Sequence, residues 1–222
     1  MFGKSILFSE MTPGADWVDR FNEWYDTEHI PVRMALDGFV GAQRYTRADQ
    51  PGNLVIYDMT SRGALKTAGY QTVKNEPSER TRWMLQNVSG FTRYLADEIG
   101  TAGTLDERAE QAPVLFTAMF AVPDANIADF DAWYVEDHLP ILLNNKDWLA
   151  VRRFAIADGE PGRYNRLAIH YLQSDAALSS PERARARDTP WRNRMAEEHA
   201  WFKEGAYAAF TRYGRRFNAV TS

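Results

Sequence analysis

The chain has 222 residues, 45% of them hydrophobic and 13% aromatic, with a formal net charge of −4 and no cysteine. That length suits one large domain or two of about 110 residues, and the acidic balance excludes a general attraction to nucleic acid or an anionic membrane. Disulfides, thiolate metal sites and cysteine nucleophiles are excluded, and neither an apolar run of about 18 residues nor a secretory leader is read, so the default location is cytoplasmic.

In chain order, residues 5–11 read as a strand, and Asp16 can cap a helix running to about Ile30. Gly38 opens a strand over 39–46, and a Pro51-Gly52-Asn53 turn leads to a strand over 54–59. A helical region broken near Pro77 follows, and 91–96 is the last strand of this half. The polar stretch 97–112, with Gly100 and Gly103, reads as a linker. Beyond it the pattern recurs: strand 114–122, a helix from about Asp124, strand 149–157, a turn at 159–162, strand 166–172, a long helical region and strand 207–217. The predicted division is 1–96, linker 97–112 and 113–222.

The halves resemble each other in residues as well as in pattern. Phe21, Trp24, Tyr25, Glu28, His29 and Pro31 return 109 positions later as Phe130, Trp133, Tyr134, Asp137, His138 and Pro140. Arg44-Tyr45 and Arg153-Phe154 share that offset, Leu7-Phe8 matches Leu115-Phe116 at 108, and Phe91-Thr92-Arg93-Tyr94 matches Phe210-Thr211-Arg212-Tyr213 at 119. The chain therefore reads as two copies of one β-α-β-β-α-β unit. A four-stranded sheet with both helices on one face needs cover on the other, and the second sheet is the natural cover.

At the element Trp-Tyr-x-x-(Glu/Asp)-His-x-Pro the chain resembles the dimeric α/β-barrel superfamily, and within it the EthD-like branch. The resemblance implies an α+β fold of two ferredoxin-like units forming an intramolecular dimeric α/β barrel, with a pocket between the sheet and helices of each unit. It implies no single reaction: the superfamily includes cofactor-free monooxygenases, cyclases, isomerases, decarboxylases, haem enzymes and accessory proteins.

Phe21, Tyr25 and His29 are spaced as one helical stripe, repeated by Phe130, Tyr134 and His138. Pro31 and Pro140 disfavour helical geometry at the preceding residue, which puts each histidine near a helix C-terminus. There the dipole favours the cation while burial opposes it, leaving an acid/base with a pKa close to working pH. Tyr25 and Tyr134 would orient a substrate. The competing role for His29 and His138 is structural: a ring bonded to a carbonyl where the helix ends. Trp24 and Trp133 are candidates for core or pocket. Arg44 and Arg153 would bind a carboxylate or phenolate, or pair with Glu28 and Asp137. His170 breaks the symmetry, standing where a rough alignment puts Asp58. The basic run from Arg183 to Arg194 reads chiefly as a solvated helix face, with an anionic-substrate gate as the other reading.

The expected function is a cofactor-independent enzyme using histidine acid/base chemistry on a small aromatic or carbonyl-containing metabolite, of lyase, isomerase or cyclase type. Alternatives are a cofactor-free monooxygenase, a non-catalytic ligand-binding or accessory protein and, behind these, a haem enzyme. No cofactor and no metal is expected. The expected partner is a small-molecule substrate, with no nucleic acid or membrane, and a homodimer of the fused pair is left open.

Overall fold

A computed structural model describes residues 2–220. The chain divides into two compact units, Met1–Asp97 with Ala157–Gly162 and Tyr213–Ser222, and Glu98–Ile156 with Arg163–Arg212. The first unit holds β1 (Ser5–Thr12), α1 (Val18–Trp24), a five-residue π-helical turn (Tyr25–His29), α2 (Ile30–Met34), β2 (Phe39–Arg47) and β3 (Asn53–Met59), then α3 (Ala68–Asn75), α4 (Glu79–Asn87) and β4 (Ser89–Gly103). Following α5 (Glu107–Glu110) come β5 (Val114–Phe120), α6 (Ile127–Trp133), a second π turn (Tyr134–His138), α7 (Leu139–Leu142), β6 (Trp148–Glu160) and β7 (Arg166–Leu172). Then come α8 (Pro181–Ala186), α9 (Pro190–Glu198), α10 (Ala200–Lys203) and β8 (Ala206–Asn218).

Each sheet is antiparallel. In the first unit β1 lies between β3 and β4, with β2 outside β3; in the second β5 lies between β7 and β8, with β6 outside β7. Strand alternation sends Leu7, Met11, Val55, Tyr57 and Met59 to the helix side, where they pack with Phe21, Trp24, Tyr25 and Ile30. The second unit repeats this with Ala118, Phe120, Ala168 and Leu172 against Phe130, Trp133, Tyr134 and Leu139. Among the described residues no helix is long and apolar enough to cross a membrane.

Four expectations are corrected. Residues 97–103 are strand: β4 continues to Gly103, beyond the expected end at Ala96. Gly103 belongs there because it has φ +76° and a Cβ would stand 2.4 Å from the Leu149 carbonyl. The helix does not stop at Ile30, since α2 continues to Met34 and α7 to Leu142. One extra residue in the π turn makes Ile30 N–H bond Tyr25 O, and Leu139 N–H bond Tyr134 O. Each proline then falls in the first turn of the following segment, where its missing N–H is tolerated.

The other two corrections concern register. Ser5 pairs with Met59 and Val114 with Leu172, so Leu7 corresponds to Phe116, not Leu115, and His170 corresponds to Tyr57, not Asp58. Ser5 also pairs with Asp97 and Val114 with Thr211, which sets Phe210 opposite Ala96 in the comparison and dissolves the Phe91/Phe210 match.

Candidate functional site

The second unit contains a cavity of ≈ 160 Å³ between its sheet and its helices, lined among others by Phe116, Phe120, Trp133, Tyr134, His138, Trp148, His170 and Tyr207. Arg183, Arg187 and Arg192 also reach it. β5 supplies Phe116 and Phe120, β7 supplies His170, the π turn supplies Tyr134 and His138, and α8 and α9 supply Arg183 and Arg192.

His138 sits against the Trp133 ring, centroids 4.8 Å apart, and its Nδ1 is 3.1 Å from the Ala186 carbonyl oxygen. A carbonyl only accepts, so Nδ1 carries the proton and Nε2 keeps its lone pair in the neutral ring. Burial pushes this imidazole down to about 4, against the raising influence of the Ala186 carbonyl and Asp137; Arg192 and Arg183 push it lower. The expectation of a pKa near working pH is thus corrected for the empty pocket: desolvation outweighs the helix end, which in any case lies further on. His170 is 1% exposed, and burial holds it well below the ordinary histidine value. It meets Tyr134 Oη at 2.9 Å through Nε2 and Trp148 Nε1 at 3.0 Å through Nδ1. Burial raises the Tyr134 phenol far above its usual value, so it stays protonated.

The first unit arranges the matching residues differently. His29 is 5% exposed, wedged between Trp24 and Tyr25 at centroid distances of 4.1 and 5.0 Å. Its Nδ1 is buried without a hydrogen-bond partner among the described residues, and burial depresses it strongly. Tyr25 gives its proton to Met11 Sδ at 3.4 Å. Where Leu142 lines the cavity of the second unit, Arg33 stands in the first, its guanidinium 5.7 Å from the Tyr57 ring centroid and bonded to the His29 carbonyl at 2.7 Å.

Several candidates lie elsewhere. Arg44 is 1% exposed, bonded to Asp26 at 2.9 Å and to Asn22, with Tyr25 and Tyr213 rings 4.7 and 4.6 Å from its guanidinium. Arg153 pairs with Asp131 at 3.4 Å. The partners are therefore Asp26 and Asp131 in place of the expected Glu28 and Asp137, and neither arginine borders the cavity. Glu28 instead binds Ser78 and Thr81 at the start of α4, and Asp137 binds Thr189 at the start of α9. Trp24 bonds Thr81 at 2.9 Å in the core, whereas Trp133 bonds Asp137 at 3.1 Å and lines the cavity. Asp58 is buried on the opposite side of its strand from Tyr57, paired with Arg216 at 2.9 Å. Among the described residues no group of His, Asp and Glu could hold a metal ion.

The basic run divides between the surface and the cavity. Arg185 and Arg194 are exposed and pair with Glu182 and Asp129 at 3.1 Å. Arg183, Arg187 and Arg192 have no carboxylate partner among the described residues, and Arg183 lies 5.4 Å over the Phe116 ring. A spacing of four and five residues from Arg183 to Arg187 to Arg192 hints at a shared face, but only the fold shows that this face looks into a cavity.

No family model matches the chain, and no curated protein matches it. Solved structures do. An anthrone oxidase-like protein aligns at 12% identity and TM-score 0.68, over 98% of this chain and 94% of its own. A candidate monooxygenase of Fusobacterium nucleatum aligns at 10% identity and TM-score 0.63, over 98% and 96%. A ferredoxin-fold protein of Listeria monocytogenes, described as related to antibiotic biosynthesis monooxygenases, aligns at 9% and 0.51, over 96% of each chain. The fold is of the ferredoxin-like, dimeric α/β-barrel class. At such identities the likeness carries the fold alone.

Proposed function

We propose that the second unit binds a small aromatic anion in the cavity beside His138, and that His138 moves a proton on it. The observation that carries this reading is the pairing of an aromatic-walled cavity of ≈ 160 Å³ with three arginines that have no carboxylate of their own among the described residues. An apolar cavity of about 150 Å³ holds one benzene, so the space suits a single ring. The arginines supply charge for a phenolate or carboxylate. Burial is the chief cause that depresses His138, and an arriving anion offsets the smaller lowering by Arg192 and Arg183, raising its basicity when substrate is present. Positioned proton transfer of this kind contributes about 10²–10⁴-fold. The activity is thus a cofactor-independent lyase, isomerase or cyclase step on a small metabolite, working in the cytoplasm.

The second reading is a cofactor-free monooxygenase, in which the same base makes a carbanion that reacts with dioxygen; the descriptions of the structural relatives favour it. A haem fits poorly, because the cavity of ≈ 160 Å³ is below the roughly 300–1,000 Å³ of ordinary ligand pockets. We also propose that the chain is a tandem duplication of an EthD-like unit, with the copies meeting within residues 97–112. The shared π turn and the Trp-Tyr-His-Pro pattern around it support this.

A panel of phenols and enolisable aromatic acids incubated in D₂O tests the chemistry. Deuterium is expected to enter the substrate carbon with the wild type and not with His138→Gln. Oxygen uptake on the same panel marks the monooxygenase. Equal, unenhanced behaviour of both proteins on every compound leaves only a binding role.

A further inference from the structure

Trp148, His170 and Tyr134 form a hydrogen-bonded chain whose direction can be read from its first member. An indole N–H only donates, so His170 Nδ1, 3.0 Å from Trp148 Nε1, presents its lone pair. A neutral imidazole then carries its single proton on Nε2. That proton goes to the Tyr134 oxygen 2.9 Å away. With its oxygen already accepting, Tyr134 keeps its own proton to donate elsewhere. All three side chains line the same cavity as His138.

We propose that Trp148 and His170 are positioning residues that commit the Tyr134 hydroxyl to donate to an anionic oxygen of the pocket's occupant. The proposal rests on the reading of the pocket as a site for a small aromatic anion, and it names the group that holds the oxygen while His138 handles the proton. The first unit shows that the chain is not a by-product of the fold. Register places Phe39 where Trp148 stands and Tyr57 where His170 stands. There the Tyr25 proton is spent on Met11 Sδ, and the Tyr57 hydroxyl is buried without a partner among the described residues. Neither residue change alone builds the chain: an indole needs an acceptor, and a histidine without the indole can place its proton on either nitrogen. Trp148 is 3% exposed and His170 1%, so water does not compete for these bonds.

The test reads the proton directly. In the full chain labelled with ¹⁵N-histidine, with His170 signals assigned by their loss in His170→Gln, Nδ1 is expected to be unprotonated and Nε2 protonated at neutral pH. The reverse tautomer overturns the proposal. The second arm uses 4-nitrophenolate as probe. Tyr134→Phe is expected to weaken its binding about 10- to 100-fold, the range of one hydrogen bond to a charged group. Trp148→Phe is expected to mix the His170 tautomers and lose part of the same affinity. Wild-type affinity in both variants overturns the proposal. If Trp148→Phe fails to fold, the wild-type tautomer and Tyr134→Phe decide. A correct tautomer in a wild type that does not bind 4-nitrophenolate overturns the aromatic-anion reading and the role given to Tyr134, while the direction of the chain stands.

Discussion

Two histidines that look equivalent in the chain differ in what their rings can do. His138 bonds a carbonyl through Nδ1 and borders a cavity, whereas His29 is sealed between Trp24 and Tyr25. His29→Leu removes no hydrogen bond from Nδ1 and is expected to leave 4-nitrophenolate affinity unchanged. Arg183→Met or Arg192→Met is expected to weaken 4-nitrophenolate about tenfold or more while changing affinity for neutral 4-nitroanisole little, which paired calorimetric titrations would show. The Trp-Tyr-His-Pro spacing made His138 and Tyr134 legible in the sequence. His170 stood out because it broke the repeat, but its role did not, since pairing register decides whether it faces the helices with Tyr57 or away with Asp58. Arg44 and Arg153 misled for a related reason: Asp26 and Asp131 meet them in space at separations no local motif announces.

At the scale of elements, the π turns aim the site. The extra residue between Tyr134 and His138 turns one helical segment relative to the next, and Val135 within it is 45% exposed. Deleting Val135 restores an ordinary helical register without removing a core side chain. The deletion is expected to preserve helix content by circular dichroism and to lower 4-nitrophenolate affinity at least tenfold; unchanged affinity would mean that the turn does not aim the ring. A π turn leaves little trace in composition, and proline is a strong local signal for a helix end, which explains why the continuation to Leu142 went unread. Elements with short apolar runs bounded by turn residues, such as β1, β3, β5 and β7, were legible within a few residues. β4 was not, because its glycines and charges from residue 97 onward mimic a linker while the backbone of Gly103 is held beside Leu149 and Ala150.

For the molecule as a whole, three histidines are held neutral, His29 and His170 buried and His138 half-buried. His29, His138 and His170 all lie below the ordinary histidine value, chiefly through burial. The unfolded chain takes up their protons near pH 6.5 while the folded chain does not, so the unfolded state binds more protons below that pH. Stability is therefore complete above about pH 6.5 and falls as pH drops toward the folded-state values, with each histidine approaching about 1.4 kcal/mol per pH unit. Urea midpoints measured from pH 8 to 4.5 are expected to decline with that onset, and less steeply in His29→Leu. The β-α-β-β-α-β order of both halves, and with it the α+β class, was legible from hydrophobic period and turn residues. The cavity was not, because its lining, with Leu142 and His170 where the first unit has Arg33 and Tyr57, is set by pairing register and helix packing.

The most direct measurement is an NMR titration of the histidine rings, free and with saturating 4-nitrophenolate. His138 is expected to titrate well below 6.5 in the free protein and to move upward with the anion bound, while His29 stays unchanged. An upward shift at His29 with none at His138, or no response at either ring to a bound anion, would contradict the assignment of the site to the second unit.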